Sequence, residues 1–351
     1  MQHTRIGIGM SGGVDSTATA LILQNKYPIS GFLMNVGQPN FRAVKEKATN
    51  IAARLDIEFT VIDLRDSFKA KVLEYFSTSY GGGKTPNPCI ICNQAIKFGL
   101  FMEHILNSGV EMMATGHYAT IEHLGDKSIL RKGLDPVKDQ SYFLSRLNQN
   151  QLSRLMFPLG KMRKKSVYTF VRDHGFTEFD GQESQDVCFL KDTSIGDFLE
   201  MHLNTSTQEG PILDLSGNQI GTHTGLHRYT IGQRKGLGLP DSTPWYVHSM
   251  CTDNNGLYVC KKDELFRSHL TANSAHWLSH PPADGDRLNV KIRSTDRGSA
   301  ATVNVIDETR FTLHFDHPQR AIAPGQFVVL YEQDRVIGSG EILPLANHSQ
   351  V

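Results

Sequence analysis

A surplus of charge of either sign is missing from this 351-residue chain, in which 36 Lys and Arg balance 36 Asp and Glu. No global field draws it to nucleic acid or to an anionic membrane, so any such surface has to be local. Cysteine is scarce and odd in number, at five residues, so the five cannot all pair within the chain. In a reducing compartment the default for such cysteines is chemistry or metal. The opening MQHTRIGIGMSGG lacks a basic flank followed by an apolar run, and no stretch approaches the ~20 apolar residues that span a bilayer. The expectation is a cytoplasmic protein with no membrane partner. Repeats and low-complexity segments are also absent. What is present is an ordinary globular composition, 39% apolar and 21% charged, and a length that predicts two or three domains.

The first half alternates short apolar runs with amphipathic stretches. RIGIGM, PISGFLMNV, IEFTVIDL and VEMMATGHY read as strands, and TATALILQNK, FRAVKEKATNIAARL and QAIKFGLFMEHILNSG read as helices between them. The pattern predicts an α/β fold with a parallel sheet covered by helices, and ligands at the carboxyl ends of its strands. Near residue 200 the character changes. Turn signals such as LSGNQIG, DNNG and PPADGD separate short alternating runs, LNVKIRS, ATVNVID, RFTLHF, GQFVVLYEQ and VIGSGEIL, which suit a small barrel or sandwich.

Directly after the first strand comes GMSGGVDSTATALIL. Ser11, Gly12, Gly13 and Ser16 occupy a strand-to-helix turn, where glycines let backbone N–H groups approach a phosphate and the helix N-terminus favours an anion. It is not a Walker loop, because no Gly-Lys-Ser/Thr follows at the required spacing. The later GGGKT, Gly81 to Thr85, has Thr78 where a Walker match needs glycine, and reads as a flexible loop. Cys89, Cys92 and Cys188 point to chemistry or metal in a reducing compartment, and Cys251 and Cys260, in strand-like context, to structure. A C-x-x-C pair could be a metal clip, a redox pair or a nucleophile with its helper. The basic stretch GKMRKKSVYTFVRDHG reads alone as a solvated helix face.

SGGVDS resembles the PP-loop of the N-type ATP pyrophosphatases, which cleave ATP to AMP and pyrophosphate and activate an oxygen on a substrate. TPNPCIICNQAIKF, ATGHYA, KDQSYFL, ESQDVCF and GLHRYTIGQRKGLG extend the likeness over nearly the whole chain, to the tRNA-specific 2-thiouridylase family. The resemblance implies a PP-loop pyrophosphatase domain over residues 1–195, a small central domain over 196–270 and a C-terminal β-barrel over 271–351. It implies adenylation of O2 of the wobble uridine by ATP with Mg²⁺, in tRNAs for Glu, Gln and Lys, followed by sulfur transfer. A sulfur-donor protein is the implied partner, and the enzyme is expected to be a monomer. Two alternatives stay open: another PP-loop ligase or amidotransferase, and a non-catalytic RNA-binding protein with a metal clip.

Residue by residue, the likeness assigns the nucleotide to Gly9, Met10, Ser11, Gly12, Gly13, Val14, Asp15 and Ser16, with Met34 and Gly116. It makes Cys188 the persulfide carrier and Cys92 the thiol that releases the sulfur. In better-known relatives an aspartate stands where this chain has Cys89. A third relay thiol and a ligand of a [4Fe–4S] cluster held by Cys89, Cys92 and Cys188 are therefore both open, with zinc, completed by His117, behind them. Asn87, Pro88 and Cys89 would touch the target base. Lys138, Asp139 and Gln140, with Arg293 and Ser294, would contact tRNA, as would His117 and Gln326 with less specificity. In this light the stretch from Lys161 to Arg172 becomes a phosphate-binding face, on which Lys164 and Lys165 are expected to hold tRNA.

Overall fold

The computed structural model describes residues 4–179, 181, 187–190, 193–203 and 208–344. They group into two units. The first takes in the chain up to Val72, Cys89 to Leu190, and Gln333–Val336; the second takes in Leu73–Pro88, Thr193 to Glu332, and the chain from Ile337 onward.

In the first unit the four expected strands are β1 (Ile6–Gly9), β2 (Ile29–Asn35), β3 (Phe59–Asp63) and β4 (Met112–Ala114). Three more were not expected: the hairpin of β5 (Ala119–Leu124) and β6 (Lys127–Lys132), and the two-residue β7 (Leu155–Met156). The sheet runs β3-β2-β1-β4-β7, all parallel. Strand order reverses direction at β1 and β4, and the crevice outside their carboxyl ends is where such sheets bind ligands. Along the chain lie helices α1 (Val14–Gln24), α2 (Phe41–Arg54), α3 (Glu74–Gly81), α4 (Pro88–Asn107), α5 (Lys164–Asp173) and α6 (Ile195–Leu203). Helices α3 and α6 belong to the second unit.

Helix α1 is buried on nearly every side. Its threonines are tolerated there because Thr17 donates to the Gly13 carbonyl and Thr19 to that of Asp15, leaving no hydroxyl without a partner.

Helix α4 is long and apolar enough to cross a membrane by length and composition alone, a stretch the sequence reading did not single out. Its Ile90, Ile96, Phe98, Phe101 and Ile105 are all buried, so it serves as a core helix of the first unit. Its middle, Cys92–Phe101, is wound as a π-helix, and Gly99 leaves the helical backbone at φ −94°, ψ −106°. Such winding misaligns carbonyls. The buried Gln151 side chain answers for two of them, donating to Gln94 O and Phe98 O at 2.9 Å each. Gln151→Leu is expected to cost about 1–3 kcal/mol, because buried carbonyls lose their donor. A urea midpoint that stays within error of the parent would count against that role.

In the second unit β8 (Gly210–Leu213), β9 (Gln219–His223), β10 (Tyr246–Cys251) and β11 (Gly256–Cys260) form a sheet in the order β10-β11-β8-β9. Cys251 and Cys260 lie on its strands, the latter buried, as their context predicts. Then come β12 (Phe266–Trp277), β13 (Arg287–Lys291), β14 (Ser299–Val305), β15 (Phe311–Arg320), β16 (Phe327–Glu332) and β17 (Arg335–Ile342). They run β12-β15-β14-β13-β16-β17, and β12 pairs back onto β17, closing a six-stranded barrel. Alternate residues such as Leu270, Ala272, Ala301, Val303, Phe311 and Leu313 fill it.

The segment Gly81 to Thr85, expected to be flexible, is tethered. Lys84 pairs with Glu341 at 3.0 Å, the Thr85 N–H donates to Pro324 O, and Gln326 donates to the Thr85 carbonyl at 2.9 Å. Glycine content suggested freedom; tertiary hydrogen bonds remove it.

Candidate phosphate site and thiol cluster

Between β1 and α1 the chain makes a tight turn. Gly12 adopts φ 70°, a left-handed conformation that costs a side-chain-bearing residue. A Cβ there would also stand 3.0 Å from Lys47 Cβ and 3.2 Å from Ala48 N. Gly13 is the extended N-cap of α1 and no side chain caps the helix. The N–H groups of the first turn are thus left for an anion. Ser16 Oγ accepts from Ser11 N at 3.2 Å and donates to Gly13 O at 2.9 Å, which draws both hydroxyls to the turn. The side chains of Met10 and Val14 are buried in the core, so only their backbones are available to a nucleotide. Met34 is half-buried near the carboxyl end of β2.

From β4 the chain returns to the same place. Gly9 packs against Thr115, and a Cβ on Gly116 would lie 2.7–2.9 Å from Asp15, so only glycine lets the two segments touch. Asp15 carries more than its sequence motif suggested. Tyr118 donates to its Oδ1 at 2.7 Å, and Lys164 Nζ reaches Oδ1 and Oδ2 at 2.9 and 2.7 Å. The Lys164 side chain is only 11% exposed. Lys161, Arg163, Lys165 and Arg172 are exposed, but Lys164 is turned inward, and the expectation that it lies on an outer tRNA-holding face is corrected. Nothing local in GKMRKKS marks which lysine points in.

The second cluster is sulfur. Cys89 and Cys92 sit in the first turns of α4, half-buried, and Cys188 lies on an exposed residue; all are free thiols. Glu183 to Asp186 of ESQDVCF fall outside the described residues. Burial pushes the Cys92 thiol up to about 12, with the Cys188 and Cys89 sulfurs adding and Lys97 opposing. Crowding by protein around Sγ, then the Cys89 sulfur, pushes Cys188 up to about 11, again against Lys97. Cys89 is raised by burial and eased by Lys97. The three sulfurs therefore feel one another and a single cation, Lys97, which sequence reasoning missed although CNQAIKF contains it. Since a thiol reacts as thiolate, Lys97→Met is expected to slow iodoacetamide alkylation of Cys92 at fixed pH roughly three- to tenfold. Unchanged alkylation would remove Lys97 from the cluster's electrostatics.

His117 does not join it as a metal ligand. Its Nδ1 contacts Thr115 Oγ1 at 2.7 Å, its ring packs between Phe98 and Phe157, and burial holds it neutral. Among the described residues no three of His, Cys, Asp and Glu converge on one metal ion, the three cysteines included.

Comparison with known proteins matches residues 4–192 to a tRNA methyl transferase HUP domain, 196–261 to a tRNA methyl transferase PRC-barrel domain and 267–342 to an aminomethyltransferase beta-barrel domain. A tRNA-specific 2-thiouridylase MnmA of Desulfotalea psychrophila is 49% identical over 339 residues, covering 96% of this chain and 98% of that protein. The chain belongs to the tRNA-specific 2-thiouridylase family. The MnmA of Syntrophomonas wolfei is 41% identical over 344 residues, covering 96% and 99%. Among solved structures, the NH3-dependent NAD synthetase of Campylobacter jejuni aligns at 17% identity and TM-score 0.34, over 51% of this chain and 67% of that one.

Positions that the 2-thiouridylase likeness assigns to tRNA fall as follows. Asp139 Oδ1 accepts from the N–H of Gly133 and Ser141, and Gln140 Oε1 from that of Tyr118, so these two side chains shape the loop that carries Lys138. Arg293 pairs with Asp296 at 2.8 Å and Ser294 is half-buried beside it. Gln326 holds the carbonyls of Thr85 and Pro86, just ahead of the half-buried Asn87 and the buried Pro88. Its visible work is to fix that backbone.

Proposed function

We propose that the protein makes 2-thiouridine at the wobble position of tRNA. The observation that carries this is the pairing, within one unit, of an uncapped glycine turn suited to phosphates with two thiols that share one lysine. The domain descriptions mention methyl transfer, whereas the relatives' name calls for sulfur, which a pair of thiols can carry and release.

Uridine O2 attacks the α-phosphorus of ATP, the bond to the β-phosphate breaks, pyrophosphate leaves, and the N3 proton passes to water. The turn from Ser11 to Ser16 would orient the phosphates, with backbone N–H groups aimed where charge grows. Mg²⁺, carried in with ATP, would supply charge neutralisation between the phosphates, and Asp15 is the carboxylate at hand. Sulfur arrives as a persulfide on Cys188, loaded by a donor protein. The Cys92 thiolate attacks the inner sulfur, a Cys92–Cys188 disulfide forms and hydrosulfide is released. Hydrosulfide adds at C2 and AMP departs. A cellular thiol reductant restores the pair.

Three thiols would also suit a [4Fe–4S] cluster, which spreads over more space than one ion and leaves an iron open for sulfide. In that reading Cys89, Cys92 and Cys188 hold it, and Cys89 is a ligand instead of a relay thiol. We place the enzyme in the cytoplasm as a monomer acting on tRNAs for Glu, Gln and Lys. The three-domain division is retained with the second cut ahead of β12, since a cut at 270 would divide a strand whose Phe266–Ala272 part pairs with β15.

The test is nucleoside analysis of tRNA after incubation with ATP, Mg²⁺ and a persulfide donor. 2-Thiouridine that depends on all three is expected; none under either aerobic or anaerobic conditions would falsify the proposal. Brown colour and iron lost in Cys89→Ala would select the cluster, and full activity in that variant would end both special roles for Cys89.

A further inference from the structure

The fold holds a lysine against the phosphate loop from 149 residues away, and neither the family motif nor the basic stretch around it accounts for this. We propose that Lys164 is the cation of the ATP site: its ammonium meets the phosphates of bound ATP and takes up the charge of pyrophosphate as it leaves. This rests on the adenylation reading above.

The geometry has four parts. Lys164 Nζ contacts both carboxylate oxygens of Asp15, at 2.9 and 2.7 Å, and Asp15 is the second residue of α1, the helix whose N-terminus has no side-chain cap. The ammonium is fixed in place. Lys164 is the first residue of α5, its own N–H donates to Asp135 Oδ2 at 3.0 Å, and its Nζ stands 5.5 Å from the Tyr118 ring and 5.3 Å from that of Tyr168. Next, Asp15 has no structural need of so costly a partner. An acidic residue in the first turn is already favoured by the helix field, and the Tyr118 hydroxyl also donates to it at 2.7 Å. Burying an ammonium to reinforce a carboxylate that is one-third exposed is poor economy for stability alone. Finally, the absence of a side chain at Gly116 lets the chain after β4 close on Asp15, since a Cβ there would lie 2.7–2.9 Å from it.

The groups near this corner thus include the α1 N–H groups, the Ser11 and Ser16 hydroxyls, and one carboxylate matched by one ammonium, while Lys47 of α2 backs Gly12. Loaded with ATP, the anion with the larger charge competes with Asp15 for the ammonium. In the transfer step the bond between the α-phosphorus and the bridging oxygen breaks, its electron pair stays on pyrophosphate, and Lys164 donates hydrogen bonds without losing its proton. Asp135 lies just ahead of Lys138, Asp139 and Gln140, which the family likeness assigns to tRNA, and Gln140 accepts from the Tyr118 backbone N–H. Lys164 and Tyr118 are the shared neighbours of that loop and the phosphate loop.

Lys164→Met, which retains the stem between the tyrosines, is measured beside Lys164→Arg and the surface change Lys165→Glu. Titration calorimetry with inorganic pyrophosphate and Mg²⁺ is expected to show binding weakened by about tenfold or more in Lys164→Met, and tRNA-dependent pyrophosphate release slowed by about 10²–10³. Lys164→Arg should recover part of both. Filter binding of tRNA should stay within about twofold for Lys164→Met but weaken for Lys165→Glu, with a salt slope to match. Pyrophosphate affinity and release both within about twofold of the parent would overturn the proposal, as would a loss confined to tRNA affinity. If Lys164→Met melts below the assay temperature, Lys164→Gln is held to the same limits. Should the parent release no pyrophosphate with tRNA, the adenylation reading fails, while the calorimetry still reports on Lys164.

Discussion

Cys92→Ser and Cys188→Ser are each expected to reduce tRNA thiolation by about 10³-fold or more while leaving tRNA-dependent pyrophosphate release within a few-fold of the parent. The asymmetry follows from the separation of tasks. In the proposed mechanism adenylation uses the turn after β1, and sulfur release needs one thiol to carry the terminal sulfur and another to attack it. Serine keeps the size but cannot form a persulfide. With the Cys92 thiol raised to about 12, roughly one molecule in ten thousand carries the thiolate at pH 8. A thiolate is present above its pKa, so hydrosulfide release from persulfidated enzyme should climb about tenfold per pH unit between pH 7 and 10, as nucleophile supply does. A flat profile would mean that Cys92 is not the attacking group, or that loading Cys188 removes the burial that raises it. A parallel loss of pyrophosphate release in both serine variants would instead place the cysteines in the adenylation step.

Gly12→Val should be damaging too, on the other half-reaction. Valine must adopt φ near 70°, which the branched side chain resists, and its Cβ would crowd the backbone of α2 at Ala48 N and Val44 O, both 3.2 Å away. The expected cost is about 1–3 kcal/mol in stability and about 10²–10³ in pyrophosphate release, since misaimed N–H donors lose their differential hold on the transition state. Gly13→Ala is the contrast: Gly13 is extended, at φ −100°, and a Cβ would meet only Ser11 Oγ at 3.5 Å, so stability should barely change. If denaturant titration placed both variants at the parental midpoint, Gly12 would not be under the constraint described.

Several elements were readable because their signal is local. The four parallel strands and α1, α2 and α4 follow from period and turn chemistry, and most of the barrel from alternation. The β5–β6 hairpin left a usable trace, ATIEHL and KSILRK around a Gly-Asp turn with Gly125 at φ 57°, that the strong motifs on either side overshadowed. Strand β12 was hidden by its polar sequence, FRSHLTANSAHW, which earns its place by pairing with both β15 and β17. Strand β7 is too short to signal at all. At the site, the phosphate turn and the cysteines are motifs, whereas the Lys164–Asp15 pair and the Gln151 brace join residues 149 and more than 50 positions apart. Such pairs have no period and no spacing; they exist only once the sheet has folded.

The π-winding of Cys92–Phe101 sets the angular phase of α4. On an ordinary α-helix, residues five apart stand roughly 140° around the axis from each other. In a π-helix, which closes its bonds at i+5, the same separation is roughly 50°, so Cys92 and Lys97 share a face only because the helix is wide. Rewinding this segment as an ordinary α-helix at the same five-residue spacing would rotate the cation roughly 90° further from the sulfur, with every side chain of the pair still present.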